Sequence, residues 1–109
     1  NARVLETLER RIDGEVKGTS RIDGRVVIEA GAVLVDSTVR GPAIIGTGAR
    51  VVHSYVGPFT AVGDDCEIVD SEVEHSVVMA GSRINGVPRL IDSLIGRDAV
   101  KPARAGKRR

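Results

Sequence analysis

The sequence predicts an all-β fold, a parallel β-helix wound from hexapeptide repeats, and three observations predict it. A tripeptide of aliphatic residue, polar residue and serine recurs at one constant interval, at Val35-Asp36-Ser37, Val52-His53-Ser54 and Val69-Asp70-Ser71. Between these markers aliphatic residues advance in steps of six, six and five. The apolar share, 41% of 109 residues, comes almost wholly from Val, Ile, Ala and Leu, with Tyr55 and Phe59 the aromatics. Such a core suits stacked β-branched side chains better than a globular aromatic centre.

From the N-terminus, Val4, Leu8 and Ile12 recur every four residues in a Leu-, Glu- and Arg-rich stretch. Residues 1–12 therefore read as a short amphipathic linker and capping helix. Ile12 to Thr19 reads as a transition or an irregular first coil. Residues 13–100 form the β-helix, and residues 101–109 a basic tail.

Within the body the aliphatics fall into three columns. They are Ile22, Val39, Val56 and Val73; Ile28, Ile45, Val62 and Met79; and Leu34, Val51 and Ile68, followed by Leu90. Four residues after an aliphatic comes a small group, as at Ala32, Ala43, Ala49, Thr60 and Cys66. This spacing describes a triangular coil in which each hexad supplies one strand and one corner. The inward aliphatic stacks on its equivalent in the next coil, about 4.8 Å away. A period near 3.6 is absent from residues 20–100, which excludes a helical body.

The fourth marker, Ile91-Asp92-Ser93, comes five positions later than the interval of the first three requires. The excess holds Asn85, Gly86 and Pro88, a turn-forming set, and predicts a loop extruded from one corner. No single coil can bury its aliphatic alone, so stability must come from neighbour stacking, with both ends capped.

Charge excludes some functions. The formal net charge is +1, yet of 16 basic residues five lie in Lys101 to Arg109, leaving 11 against 15 acidic ones. A body so balanced, with two aromatics, lacks the basic, stacking face that tracks nucleic acid. The tail reads as solvated. No apolar run approaches the roughly 18 residues of a membrane span. One cysteine, Cys66, permits no internal disulfide and no cysteine pair for a metal, and a reducing cytoplasm is the expected setting. Beginning at Asn1 rather than Met, the chain reads as a fragment or a processed product.

Few residues invite chemistry. The repeat places His53 between Asp36 and Asp70, where a carboxylate could orient an imidazole base. Aspartate holds the same position in the other repeats, so a tolerant polar corner is the simpler reading. His75 has no comparable neighbours. Ser37, Ser54, Ser71 and Ser93 recur as a ladder, whereas a nucleophile would occur once. Cys66 shares a small inward slot with Ala32 and Ala49 and reads as a buried hydrophobe. Gly46-Thr47-Gly48 resembles a phosphate loop only superficially, because no helix follows.

Gly41-Pro42-Ala43-Ile44-Ile45-Gly46, Ser54-Tyr55-Val56-Gly57-Pro58-Phe59-Thr60 and Val62-Gly63-Asp64-Asp65 together resemble the C-terminal domain of long-form glucose-1-phosphate thymidylyltransferases. Asn1-Ala2-Arg3-Val4-Leu5-Glu6 is similar to the segment that leaves the catalytic domain in that family. The resemblance implies a left-handed β-helix. It also implies a parent that joins dTTP to glucose 1-phosphate with release of pyrophosphate, its Mg²⁺ and its glycine-rich nucleotide loop lying upstream. No catalytic, cofactor-binding or metal-binding residue carries over to residues 1–109, and the role the resemblance implies for this chain is that of a noncatalytic C-terminal assembly or regulatory domain. The expected partners are the parent's own N-terminal catalytic domain and further copies in a homo-oligomer, with no nucleic acid and no membrane. Two other readings stay open: a hexapeptide acyltransferase using acyl-CoA with His53 as base, and a stand-alone structural β-helix.

Overall fold

The computed structural model describes residues 10–101. Among them are 17 strands of two or three residues, and no helix. The first coil consists of β1 (Arg10–Ile12), β2 (Glu15–Lys17) and β3 (Arg21–Asp23). The second has β4 (Val26–Ile28), β5 (Val33–Val35) and β6 (Thr38–Arg40), and the third β7 (Ala43–Ile45), β8 (Arg50–Val52) and β9 (Tyr55–Val56). The fourth has β10 (Thr60–Val62), β11 (Glu67–Val69) and β12 (Glu72–Glu74), and the fifth β13 (Val77–Val78), β14 (Arg83–Asn85) and β15 (Leu90–Ile91). β16 (Leu94–Ile95) and β17 (Val100–Lys101) begin a sixth.

Every third strand pairs in parallel, giving three sheets that wall a triangular solenoid. The first sheet runs β1-β4-β7-β10-β13-β16, the second β2-β5-β8-β11-β14-β17, and the third β3-β6-β9-β12-β15. The predicted all-β parallel coil is therefore what the chain forms. Inside, Ile28, Ile45, Val62, Val78 and Ile95 stack behind the first sheet, Leu34, Val51, Ile68 and Ile84 behind the second, and Val39, Val56 and Val73 behind the third. All are buried, and Ile22 and Leu90 pack partly buried at the two ends of the third column.

Register corrects four expectations. Val78, not Met79, pairs with Val62, leaving Met79 39% exposed. Ile84, not Leu90, continues the Leu34, Val51, Ile68 column, and Leu90 lies beside Val73. Ser93 aligns with Ser76 rather than Ser71, since its amide donates to Ser76 Oγ. No loop is extruded at the late marker: Arg83–Asn85 is a strand of the second sheet. The chain drops one residue where Val62 pairs with Val78, one position short of a full repeat. It regains that residue between Asn85 and Leu90, so that Val73 meets Leu90 in the ordinary register. A one-residue slip would turn an inward aliphatic outward, so burial dictates this register.

At the N-terminal end, Val4 and Leu8 of the expected helix lie outside the described residues, but Arg10–Ile12 is a strand paired with Val26–Ile28. Ile12 to Thr19 is, as expected, an irregular first coil: Glu15–Lys17 pairs with Val33–Val35, but the corner from Ile12 to Glu15 is two residues shorter than its counterpart from Ile28 to Val33. Except for Lys101, the basic tail lies outside the described residues.

Most corners are turned by a residue in the left-handed conformation; those at Asp13-Gly14 and at Gly41-Pro42, where the peptide bond is cis, are not. One corner stacks Gly18, Asp36, His53, Asp70 and Gly86, with φ from 47 to 69°; another stacks Phe59, His75 and Asp92; the third stacks Gly31, Gly48, Asp65, Gly81 and Asp98. Where side chains stand in this conformation, Asp and His are the types that bear it best, whereas Phe59 (φ 59°) is an uncommon occupant. Gly46 is needed for a different reason: a Cβ there would lie 2.7 Å from the carbonyl carbon of Gly63 in the next coil.

Candidate functional site

The corner holding His53 is the most polar cluster that sequence reasoning singled out. His53 Nε2 lies 3.2 Å from Asp36 Oδ2, and Nδ1 lies 3.8 Å from Asp70 Oδ1. The imidazole is thus held between carboxylates of the preceding and following coils. Asp36 is further tied to the first coil, its Oδ1 accepting from Thr19 N at 2.8 Å and Thr19 Oγ at 3.1 Å. These hydrogen bonds, with a smaller contribution from His53, hold its carboxyl below the usual carboxylate range.

Beside this column a shallow cleft of about 450 Å³ is lined by His53, Ser54, Tyr55, Asp70, Ser71, Glu72, Val87 and Pro88. No serine there is poised as a nucleophile. Ser54 Oγ donates to Val52 O at 2.8 Å and accepts the amide of Ser71 at 3.1 Å. Ser37 does the same one coil earlier, and its own amide donates to Ser20 Oγ. Ser20, Ser37, Ser54 and Ser71 are the ladder, with Ser71 Oγ accepting from Val87 N at 2.9 Å.

His75 is less isolated than its sequence context suggests. Its Nδ1 is 3.9 Å from Asp92 Oδ1, and its ring meets Phe59 edge-on with centroids 5.4 Å apart. The expectation for Cys66 holds: it is 2% exposed, its Sγ donates to Met79 O at 3.1 Å, and burial pushes the thiol pKa up. Gly46-Thr47-Gly48 is a corner in which Thr47 N already donates to Asp64 Oδ1 at 2.9 Å. Among the described residues no group of three or more His, Cys, Asp or Glu side chains is placed to hold a metal.

The outer faces of the sheets differ, and sequence reasoning missed this. The third sheet presents Arg21, Asp23, Arg40, Glu72 and Glu74. The second mixes valines with an Arg50–Glu67 pair at 3.3 Å. The first presents Val27, Ile44, Ala61, Val77 and Leu94 in one row, aligned strand by strand, with Ile44 48% and Leu94 71% exposed. The signal was in the sequence: the residue between each pair of inward positions in this sheet is itself apolar from the second coil onward.

No protein-family model matches the chain. It is 54% identical over 97 residues to a glucose-1-phosphate thymidylyltransferase of Streptomyces griseus, covering 89% of this chain and 27% of that protein. It is 51% identical over 98 residues to a protein of the same name from Streptomyces antibioticus, covering 90% and 28%. A low-salt glycan biosynthesis nucleotidyltransferase of Haloferax volcanii is 41% identical over 101 residues, covering 91% and 28%. The chain thus spans little more than a quarter of the relatives it matches. The resemblance carried by residues 41–65 is borne out, since the relatives bear that family's name and the shared stretch is a β-solenoid.

Proposed function

We propose that this chain is a noncatalytic assembly domain of a sugar-1-phosphate nucleotidyltransferase. The observation that supports it is the match of nearly the whole chain to about a quarter of glucose-1-phosphate thymidylyltransferases. The parent reaction would join dTTP to glucose 1-phosphate and release pyrophosphate, with Mg²⁺ and nucleotide held by a catalytic domain outside this chain. The residues that could carry chemistry here serve the coil instead. His53 and His75 occupy left-handed corners, the serines bridge coils, and Cys66 fills the core.

Assembly means packing on the parent's own catalytic domain and on other copies in a homo-oligomer. The cytoplasm is the compartment proposed, consistent with a lone buried thiol. Among the described residues no helix is long and apolar enough to cross a membrane. Acyl transfer is the weaker reading, because both ring nitrogens of His53 already face carboxylates.

The test is a transfer assay with dTTP, glucose 1-phosphate and Mg²⁺, run on the 109-residue chain and on the product of the whole coding region. Activity in the second alone is expected. Synthesis of dTDP-glucose by the shorter chain alone would overturn the reading.

A further inference from the structure

We infer that the outer face of the first sheet is a self-association surface on which a second copy of this chain docks antiparallel, around a two-fold axis passing beside Ala61. This rests on the assembly role proposed above and names its face and its occupant.

The face is a row of apolar side chains of graded size. Reading along the solenoid, Val27, Ile44, Ala61, Val77 and Leu94 stand one per strand, with the smallest at the centre. Ile44, Val77 and Leu94 are 48, 46 and 71% exposed, and Phe59, 65% exposed, overhangs the centre of the row beside Pro42, Thr60 and Ala61. Contiguous exposed apolar surface of this kind marks an interaction site.

The charges at its rims point to the occupant. Along one rim runs a groove of about 580 Å³, bounded by Glu29 in the second coil and Arg97 in the sixth. Along the other rim Arg25 and Asp92 occupy the same two levels, with signs reversed. Among the described residues neither Arg25 nor Arg97 makes an ion pair. Glu29 accepts from Arg11 at 2.8 Å, and Asp92 lies 3.9 Å from His75.

The second and sixth coils are equidistant from Ala61. An antiparallel copy therefore sets Glu29 against Arg97 and Arg25 against Asp92 on both sides of the axis. It also sets Ile44 against Val77, Val27 against Leu94, and Phe59 against its own counterpart. Bulk is then balanced about the small centre. A parallel copy would also oppose unlike charges, but it would stack Leu94 on Leu94 and Val27 on Val27 and wedge the faces apart at one end.

The row spans about 20 Å at the spacing of paired strands, and each strand with its corners spans about 18 Å. Two such faces with their side-chain relief bury on the order of 1,000 Å², the lower bound of a specific interface.

Sedimentation velocity on the 109-residue chain tests this. A species of twice the 11.5 kDa chain mass is expected at micromolar concentration. Ala61→Arg should abolish it while leaving the circular dichroism and melting curve in place. Arg97→Glu or Glu29→Arg alone should weaken the dimer at least ten-fold, and the double swap should restore it.

A chain that stays monomeric to several hundred micromolar overturns the inference, as does a dimer indifferent to Ala61→Arg. A dimer weakened further by the double swap overturns the antiparallel pairing, because a parallel copy would then set like charges together. None of these outcomes touches the nucleotidyltransferase reading, which stands or falls on the transfer assay.

Discussion

Ser54 Oγ accepts the backbone N–H of Ser71, one coil later, at 3.1 Å while donating to Val52 O at 2.8 Å, so one buried hydroxyl couples two coils. Ser54 is only 8% exposed. Replacing it with alanine leaves the Ser71 amide without that partner away from water. Ser54→Ala should cost about 1–3 kcal/mol. Urea denaturation monitored by circular dichroism measures it, and a midpoint unchanged from the parent would show that water or a shifted strand takes over the bond.

Inward and outward aliphatics of similar size should behave oppositely. Ile68 is fully buried between Val51 and Ile84, so Ile68→Ala should cost about 2–5 kcal/mol. Val77 points out of the first sheet and is 46% exposed, so Val77→Ala should stay within about 0.5 kcal/mol at concentrations where the chain is monomeric. Comparable losses at the two positions would contradict the register.

Asp36 sets an acid-side dependence. Its folded carboxyl is held below the ordinary value chiefly by Thr19, so the unfolded chain takes up that proton first as pH falls. The stabilisation it gives is complete above the ordinary carboxylate range, near pH 4, and is lost as pH drops through the folded value. Asp36→Asn, which keeps a residue that tolerates the left-handed corner, should be less stable than the parent at pH 7. The gap should close toward pH 2, and urea midpoints across that range would record it.

Cys66 should be silent in the native chain. Burial raises its pKa, and its Sγ is committed to Met79 O, so little thiolate is formed or reachable at pH 8. Iodoacetamide should leave the folded protein's mass unchanged and add one adduct in urea. Rapid native labelling would mean that the corner at residues 63–66 opens.

At the third corner, Gly48 has φ 73°, and a Cβ there would press on the Asp65 carboxylate. Gly48→Ala should cost about 1–2 kcal/mol from the backbone conformation alone. A thermal melt shows it. The reverse change at Asp65, a left-handed residue in the same column, should be neutral or stabilising when replaced by glycine.

The coil was legible because its inward residues are separated by nearly constant distances, and burial makes those positions intolerant. Legibility failed at Met79, which stands one full repeat after Val62 although the chain drops a residue there. A finer pattern holds through the change: small residue, any residue, aliphatic. It runs Ala49-x-Val51, Cys66-x-Ile68 and Ser82-x-Ile84 in the second sheet, and Thr60-x-Val62, Ser76-x-Val78 and Ser93-x-Ile95 in the first. Reading two positions instead of one would have found Ile84 and dissolved the loop. Of the chemistry, the His53 column was visible as a spacing. The Phe59, His75 and Asp92 column was not, because the shortened turn brings His75 round one position early after Phe59, out of step with the repeat.

Partners in every ladder lie at nearly the same separation along the chain, from Arg10 with Val26, among the nearest, to Glu15 with Val33, among the farthest. The entropic toll for closing each turn is therefore nearly the same wherever winding starts, and it does not grow as further turns are laid down. Few parallel-sheet architectures share this, since most must join strands that are distant along the chain before any pairing rewards them. A chain so wound should fold at a pace set by its most readily formed pair of turns rather than by its length.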